Sequence, residues 1–260
     1  ISLSPGSLST HFCGSGNLIN LSANTVVDTD QNGVSRLSNT CVGAYELIPD
    51  AYTLEVTNEQ CEGEGSFRNA ILTANKLDES IPVSIVFDFE GKGTKTICLD
   101  TTVTLLRRNL TIDGSTYPDS IIIKATDNTF EGLKVSSCGK SDANKKVTIK
   151  GLTFKGFFEA VYVFGTNNVL VDSCSFDSNY VGVYNRSSDV SVEKSVFTNN
   201  DNGLYTSYVW IINCDGYKYR TIVKNNIFGL SADQKIAMPN KIGINIGGTS
   251  SGSTGDHELR

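Results

Sequence analysis

The sequence predicts an all-β fold, a parallel β-helix, because two short phrases recur together along the second half of the chain. The first phrase has eight residues and begins at Val147, Val169 and Val190, so its period is 22 and then 21 residues. A fourth copy begins at Thr221, after a longer interval. A second, three-residue phrase keeps the same period at Ala160–Tyr162, Gly182–Tyr184 and Gly203–Tyr205. Two phrases with one period indicate one structural unit that is repeated in space.

The first phrase is typical of a strand that is followed by a corner. Its first and third positions are apolar and its second and fourth are mostly polar, which predicts a strand with one buried face. A unit this short cannot bury its own apolar face, so successive copies must stack, about 4.8 Å apart. The eighth position is then an internal column of Phe154, Phe176, Phe197 and Phe228. Asn179 and Asn200 each follow a phenylalanine by three residues, which predicts an asparagine ladder at a corner.

The part of the chain before the repeats divides into three kinds of segment. Residues 1–47 are rich in loop-forming residues, and residues 48–80 hold a strand at 52–57 and one helix at 66–77. The helix carries Ser66 as N-cap and a single apolar face, so we expect it to cap the open end of the β-helix. The β-helix itself is predicted over 81–248 and a flexible Gly/Ser-rich tail over 249–260. Its first strands are expected at Ile85–Asp88, Thr96–Leu99, Val103–Leu106, Leu110–Asp113 and Ile121–Lys124.

The composition of the chain restricts which classes of partner it can bind and indicates where the protein is located. The net charge of −6 argues against a nucleic-acid partner. No stretch reaches the roughly 18 apolar residues of a membrane span. Cys13 and Cys41 flank a loop-rich segment and can form a disulfide. Cys174 is expected to be a buried thiol that does not react. The glycosylation sequons at Asn20, Asn109 and Asn185, together with the cysteines, the few charged residues and the abundant tyrosines, predict an extracellular protein. Because the chain starts at Ile1, we expect it to be processed or to be part of a longer protein.

The fourth position of the first phrase supplies the candidates for catalysis. It carries Lys150, Asp172, Glu193 and Lys224, one strand spacing apart on the outer surface. One hypothesis is a lyase groove in which calcium neutralises an acidic sugar and Lys150, Arg186 or Lys224 abstracts a proton. The alternative is a solvated ladder in which Lys150 pairs with Asp172 and Lys224 pairs with Glu193.

A tyrosine stripe supplies the candidate binding surface. Tyr162, Tyr184 and Tyr205 end the three copies of the second phrase and are predicted to point outward. Exposed aromatic rings suit the apolar faces of sugars, but neighbouring rings also stabilise strands by pairing with one another. Both interpretations stay open from the sequence.

A partial calcium loop lies in the N-terminal segment. Asp28, Asp30 and Asn32 alternate ahead of Gly33, as oxygen ligands of a hard cation do. The twelfth position is Asn39, where a bidentate Glu is expected, so a simple turn explains these residues equally well. Calcium is therefore the one cofactor that the sequence suggests.

Several segments resemble a known family. Glu64–Asn75 (EGSFRNAILTAN), Ile85–Asp88 (IVFD) and Leu110–Gly114 (LTIDG) resemble the opening of secreted right-handed parallel β-helix repeat proteins, which include pectate-lyase-like folds and polymorphic repeat proteins of bacterial surfaces. Asp28–Arg36 (DTDQNGVSR) with Gly43–Glu46 (GAYE) looks like the motif that closes such a repeat block. The resemblance implies that residues 1–47 end one block and that a second block follows.

These observations predict an extracellular structural or adhesive β-helix module of a larger surface or filament protein, without catalysis. Its expected partners are other chains or further β-helix blocks. The alternative is a lyase or a carbohydrate-binding β-helix that acts on acidic polysaccharide. The only histidines, His11 and His257, lie outside the repeats, so a Ser-His or Cys-His dyad has no support.

Overall fold

The fold consists of three parallel sheets whose strands follow one another in strict rotation. The computed structural model describes residues 51–136, 145–166, 168–207 and 220–247, together with the backbone of 256–259. Residues 51–260 form a unit of their own. One α-helix, α1 (Phe67–Ala74), and a short 3-10 helix (Gly114–Thr116) accompany the strands. The strands are β1 (Tyr52–Val56), β2 (Val83–Phe87), β3 (Lys95–Leu99), β4 (Val103–Leu105), β5 (Leu110–Asp113), β6 (Ile121–Ala125), β7 (Glu131–Ser136), β8 (Val147–Lys150), β9 (Thr153–Lys155), β10 (Glu159–Phe164), β11 (Val169–Asp172), β12 (Ser175–Asp177), β13 (Val181–Arg186), β14 (Asp189–Glu193), β15 (Val196–Thr198), β16 (Asn202–Ser207), β17 (Arg220–Lys224), β18 (Ile227–Phe228), β19 (Ile242–Ile246) and β20 (Asp256–Leu259).

Each strand from β2 to β17 pairs with the strand that comes three later. The first sheet has the order β1-β2-β5-β8-β11-β14-β17-β20, the second β3-β6-β9-β12-β15-β18, and the third β4-β7-β10-β13-β16-β19. All strand pairs in these sheets are parallel. We call one strand of the first sheet with the following strands of the second and third sheets a coil. The prediction of an all-β fold built on parallel strands is confirmed.

The repeated phrases pair with one another in the register that their spacing predicts. Val147, Val169, Val190 and Thr221 are direct partners in the first sheet. The predicted phenylalanine column is confirmed, with ring centroids 5.4, 4.9 and 4.7 Å apart from Phe154 to Phe228. The glycine of the second phrase packs against this column, because a Cβ on Gly182 would lie 3.0 Å from a Phe197 ring carbon and 2.6 Å from a carbonyl oxygen. The repeat period therefore encodes coil-to-coil packing.

The asparagine ladder forms at the corner between the second and third sheets. Asn179 Nδ2 donates to Asn200 Oδ1 at 3.0 Å, and Asn200 Nδ2 donates to Asn240 Oδ1 at 2.8 Å. The same amides bond to main-chain groups of the neighbouring coil, such as the carbonyl oxygen of Phe176. Asn240 is a third residue of this ladder. The repeat period did not predict it, because residues 229–241 lengthen this corner.

Left-handed backbone recurs at the corner that follows the first sheet. Gly151, Ser173, Lys194 and Asn225 have φ of 67, 52, 49 and 57° at equivalent places. Glycine and asparagine adopt this conformation readily, whereas Lys194 does so at a steric cost. The abrupt change of direction therefore occurs at one fixed place in each coil.

Helix α1 is confirmed but shorter than predicted. Ser66 caps it as expected, since its side chain accepts a hydrogen bond from Asn69 N. The helix ends at Ala74 rather than near Leu77, and its C-cap residue, Asn75, directs its side-chain amide to strand β4. Asn75 Nδ2 donates to Thr104 O at 2.8 Å, and its Oδ1 accepts from Leu106 N at 3.0 Å. This side chain thus occupies hydrogen-bonding groups at the free edge of β4.

The segment 249–260, predicted as a flexible tail, contains a strand at residues 256–259. Their backbone forms β20, which pairs in parallel with β17. The edge of β17 offers unpaired main-chain groups, and a strand satisfies them. The interruption of the period near Tyr208 and the segment 1–47 lie outside the described residues.

Candidate functional site

The fourth-position residues form a column along the first sheet, as predicted. Lys150, Asp172, Glu193 and Lys224 are direct partners in successive strands. The prediction that Lys150 forms an ion pair with Asp172 is wrong. Lys150 Nζ lies 2.8 Å from Asp113 Oδ2 on the preceding coil, because Asp113 occupies the same register position there.

Asp172 instead contacts a lysine from the adjacent corner. Lys194 Nζ lies 3.5 Å from Asp172 Oδ1, in an ion pair without hydrogen-bond geometry. Glu193 accepts a hydrogen bond from Ser191 Oγ at 2.8 Å, and Lys224 is exposed. The like charges of Asp172 and Glu193 are thus offset by neighbouring groups, as in a structural ladder.

Asp113 of the first-sheet column is bound by its neighbours Lys150 and Ser115. Burial favours a raised pKa for Asp113, but its bonds to Lys150 and Ser115 outweigh this effect and lower the pKa. Asp113 therefore stays ionised and engaged. Arg186, the other candidate base, lies on β13 of the third sheet and is not brought together with Lys150 or Lys224.

The tyrosine stripe forms a stack on the outer side of the third sheet. Tyr162, Tyr184 and Tyr205 are direct partners in β10, β13 and β16. Their ring centroids are 5.2 and 4.7 Å apart, with interplanar angles of 34 and 14°. Lys134 from β7 continues the column, and its Nζ lies 5.2 Å from the Tyr162 centroid.

This geometry covers both ring faces of Tyr162 and Tyr184. Tyr184 has a tyrosine on each side, Tyr162 lies between Lys134 and Tyr184, and Tyr162 is only 7 % exposed. A sugar that stacks on an aromatic residue needs a free ring face. The arrangement therefore supports the interpretation in which the tyrosines stabilise one another, and it leaves ring edges and hydroxyls for contacts with a partner.

Charged residues surround the stack. We call Glu131, Lys134, Glu159, Tyr162, Phe164, Tyr184, Arg186 and Tyr205 the third-sheet face. Arg186 lies over the ring of Phe164, with its guanidinium carbon 5.5 Å from the centroid. Glu159 lies beside Glu131 of the previous coil. Burial above all, and then the charge of Glu131, raises the pKa of Glu159 to about 7, although Arg186 and Lys134 partly offset this.

Sequence reasoning missed Glu131, Lys134 and Glu159. A signal for them exists, because Glu131-Gly-Leu-Lys134 aligns with Glu159-Ala-Val-Tyr162 as an earlier copy of the second phrase. The 28-residue interval between Glu131 and Glu159 hides this copy, since it departs from the period of the later coils.

The remaining predicted sites fall largely outside the described residues. Asp28, Asp30, Asn32, Asn20 and the Cys13–Cys41 pair all lie there. Within the residues that the structure describes, no three His, Cys, Asp or Glu side chains gather to hold a metal.

The described cysteines include one disulfide and one buried thiol. The sequence did not predict the disulfide between Cys61 and Cys98, which lie 37 residues apart. Cys174 is the buried thiol that was expected, and burial raises its pKa to about 12. Its thiolate form is therefore negligible near neutral pH.

The two described sequons differ in accessibility, so we expect a glycan at Asn109 and none at Asn185. Asn185 is 0 % exposed, and its Nδ2 donates to Ser188 O at 3.1 Å and Thr221 Oγ1 at 2.8 Å. This burial in the folded chain argues against the prediction of a glycan at Asn185, because the amide has no room for one. Asn109 is partly exposed, and its backbone is left-handed.

Glycopeptide mass spectrometry of the chain secreted from a eukaryotic host tests this assignment. The glycan should disappear from the region of β5 in Asn109→Gln. A glycan on the peptide that contains Asn185 would contradict the burial seen here.

Comparison with protein-family models and with curated proteins found no match to this chain. In the described part of the chain, helices lack the length and apolar character required to cross a bilayer.

Proposed function

We propose that the chain is a right-handed parallel β-helix whose N-terminal end is capped by α1, of the kind found in the secreted repeat proteins that the sequence resembles. The rotation of strands through three parallel sheets supports this, as do the stacked phenylalanine and asparagine columns. At the N-terminal end, Asn75 occupies groups on the edge of β4. Glu59 does the same for β3, where its carboxylate accepts from Thr96 N and its carbonyl from Cys98 N.

The proposed function is that of an extracellular structural or adhesive module within a larger surface or filament protein. The observation that carries it is the self-pairing of the outward columns. The tyrosines stack on one another, and the acids of the first sheet are offset by neighbouring lysines or a hydroxyl group. Such a surface gives a rigid support for other coils or chains. The Cys61–Cys98 disulfide fits an oxidising compartment.

The extracellular location is tested by thiol labelling in intact cells that produce the full protein. Cys61 and Cys98 should react with a membrane-impermeant maleimide only after treatment with an impermeant reductant. Labelling that requires cell lysis would contradict an external location.

The structural role is tested by offering the purified chain polyuronides and neutral polysaccharides, with and without calcium. We expect neither unsaturated product nor retention. Product that is lost in Lys150→Ala or Asp172→Ala would replace this proposal with a lyase.

A carbohydrate-binding module is the second candidate, and the third-sheet face favours it. Lys134 and Arg186 lie on aromatic rings, and neither has a carboxylate within ion-pair distance among the described residues. Both cations can therefore meet the acidic groups of a polysaccharide. Retention that is lost in Arg186→Ala but kept in the charge-matched Lys224→Ala would support this candidate.

A further inference from the structure

We infer that Glu131 and Glu159 form a proton-dependent clasp between adjacent coils, which is closed while the pair holds a proton and is weakened when both carboxyls are charged. The two residues are direct partners at the start of β7 and β10. Both are half-buried, and the partner of Glu159 on its other side is the buried Val181. Two carboxyls in this position either share a proton or repel each other across one strand spacing.

The surroundings hold the pair in place without neutralising it. Thr102 Oγ1 donates to Glu131 Oε2 at 2.8 Å, which fixes that carboxyl from the preceding coil. The cations that face Glu159 are Lys134 on β7 and Arg186 on β13, and Tyr162 on its own strand is the third titratable neighbour. Lys134 and Arg186 lie over rings of Tyr162 and Phe164 instead. Within the described residues neither glutamate has a basic group within ion-pair distance.

The direction of the pH effect follows from the electrostatics. Burial, and then the charge of Glu131, raises the pKa of Glu159 from 4.5 to about 7 in the folded chain. A group whose pKa is raised by folding binds its proton more tightly in the folded state. Its contribution to the free energy of unfolding is complete below pH 4.5 and is lost as the pH rises through about 7. The coils should therefore hold together more firmly in a mildly acidic medium than in an alkaline one.

Denaturant unfolding at a series of pH values tests the clasp. Between about pH 5 and about pH 8.5, the midpoint denaturant concentration of the wild-type chain should fall. Glu159→Gln keeps the shape of the side chain and cannot ionise, so its midpoint should stay level over the same range. Glu193→Gln is the matched control, because Glu193 also lies beside an acid, Asp172, in an adjacent strand. It should retain the wild-type fall.

The result that overturns the clasp is equal pH dependence in the wild type and Glu159→Gln. Carbon-13 NMR of glutamate carboxyls in the wild-type chain gives a second measurement that needs no variant to fold. One carboxyl should titrate near pH 7, and Glu131→Gln should move that titration toward the ordinary 4.5. Titration of all glutamates below about pH 5.5 would also overturn the inference.

Discussion

Arg107→Ala is expected to lower the free energy of unfolding by about 4 kcal/mol, since each buried acceptor left unpaired costs roughly 1–3 kcal/mol and some regain water. Arg107 is fully buried, directly after β4 and the exposed Leu106. Its guanidinium donates to five main-chain carbonyl oxygens, those of Ala74, Leu77, Asp78, Ile81 and Arg108. The side chain therefore joins the C-terminal end of α1, the connection to β2 and the end of β4.

Denaturant unfolding measures this effect, and Arg107→Lys refines it. Lysine keeps the positive charge but lacks the planar fork, so we expect it to recover less than half of the loss. Lys124→Ala removes an exposed charge from β6 and serves as the control, with a change within about 0.5 kcal/mol. If Arg107→Ala lowers the free energy of unfolding by less than about 1 kcal/mol, Arg107 does not hold α1 and the connection to β2 against the end of β4.

Phe176→Ala should lower the free energy of unfolding by about 3–5 kcal/mol. Phe176 is the middle of the phenylalanine column, with Phe154 5.4 Å below and Phe197 4.9 Å above, measured between ring centroids. It is fully buried, so the substitution removes apolar contacts and leaves a cavity between coils.

Phe158→Ala is the matched control. Phe158 is 40 % exposed and stacks on Tyr180 at the outer corner, with centroids 4.9 Å apart. Loss of this pair should cost about 1 kcal/mol. Equal destabilisation by the two substitutions would argue that the column does not hold the coils together.

The features that the sequence predicts well are those that repeat. The alternation in the first phrase fixes which side chains face inward, and the shared period fixes which residues become partners. Val169 therefore pairs with Val147 and Val190, and Asn179 with Asn200, as expected. Stacking makes each coil the template for the next, so a local pattern is enough to specify a contact between strands that are distant in sequence.

The features that the sequence misses occur once. Arg107 bonds to carbonyl oxygens 26 to 33 residues earlier in α1 and the connection after it, and main-chain acceptors leave no pattern in the sequence. Asp113 precedes the first clear copy of the phrase, so its pairing with Lys150 was not foreseen. The disulfide joins Cys61, in a loop, to Cys98 in β3, and seven cysteines allow many pairings.

The candidate site also combines features that repeat, which the sequence predicts, with features that occur once, which it does not predict. The positions of Tyr162, Tyr184 and Tyr205 were predictable because they repeat, but the covering of their faces depends on Lys134 and on ring geometry. Glu159 acquires its raised pKa from burial and from Glu131 in another coil. Residue types alone do not reveal such a neighbour.

The stacking of coils in register is the central claim, and a set of spin-label distances tests it most directly. One label is placed at Ser84 through an unnatural amino acid, which leaves the native cysteines intact. The second is placed in turn at Leu170, Ser191 and Ile222, which lie three, four and five strand spacings away in one column of the first sheet. The register predicts distances of about 14, 19 and 24 Å, rising by one strand spacing of about 4.8 Å at each step. Distances that do not increase in this order, or a label at Ile222 no farther from Ser84 than one at Leu170, would contradict the stacked-coil fold.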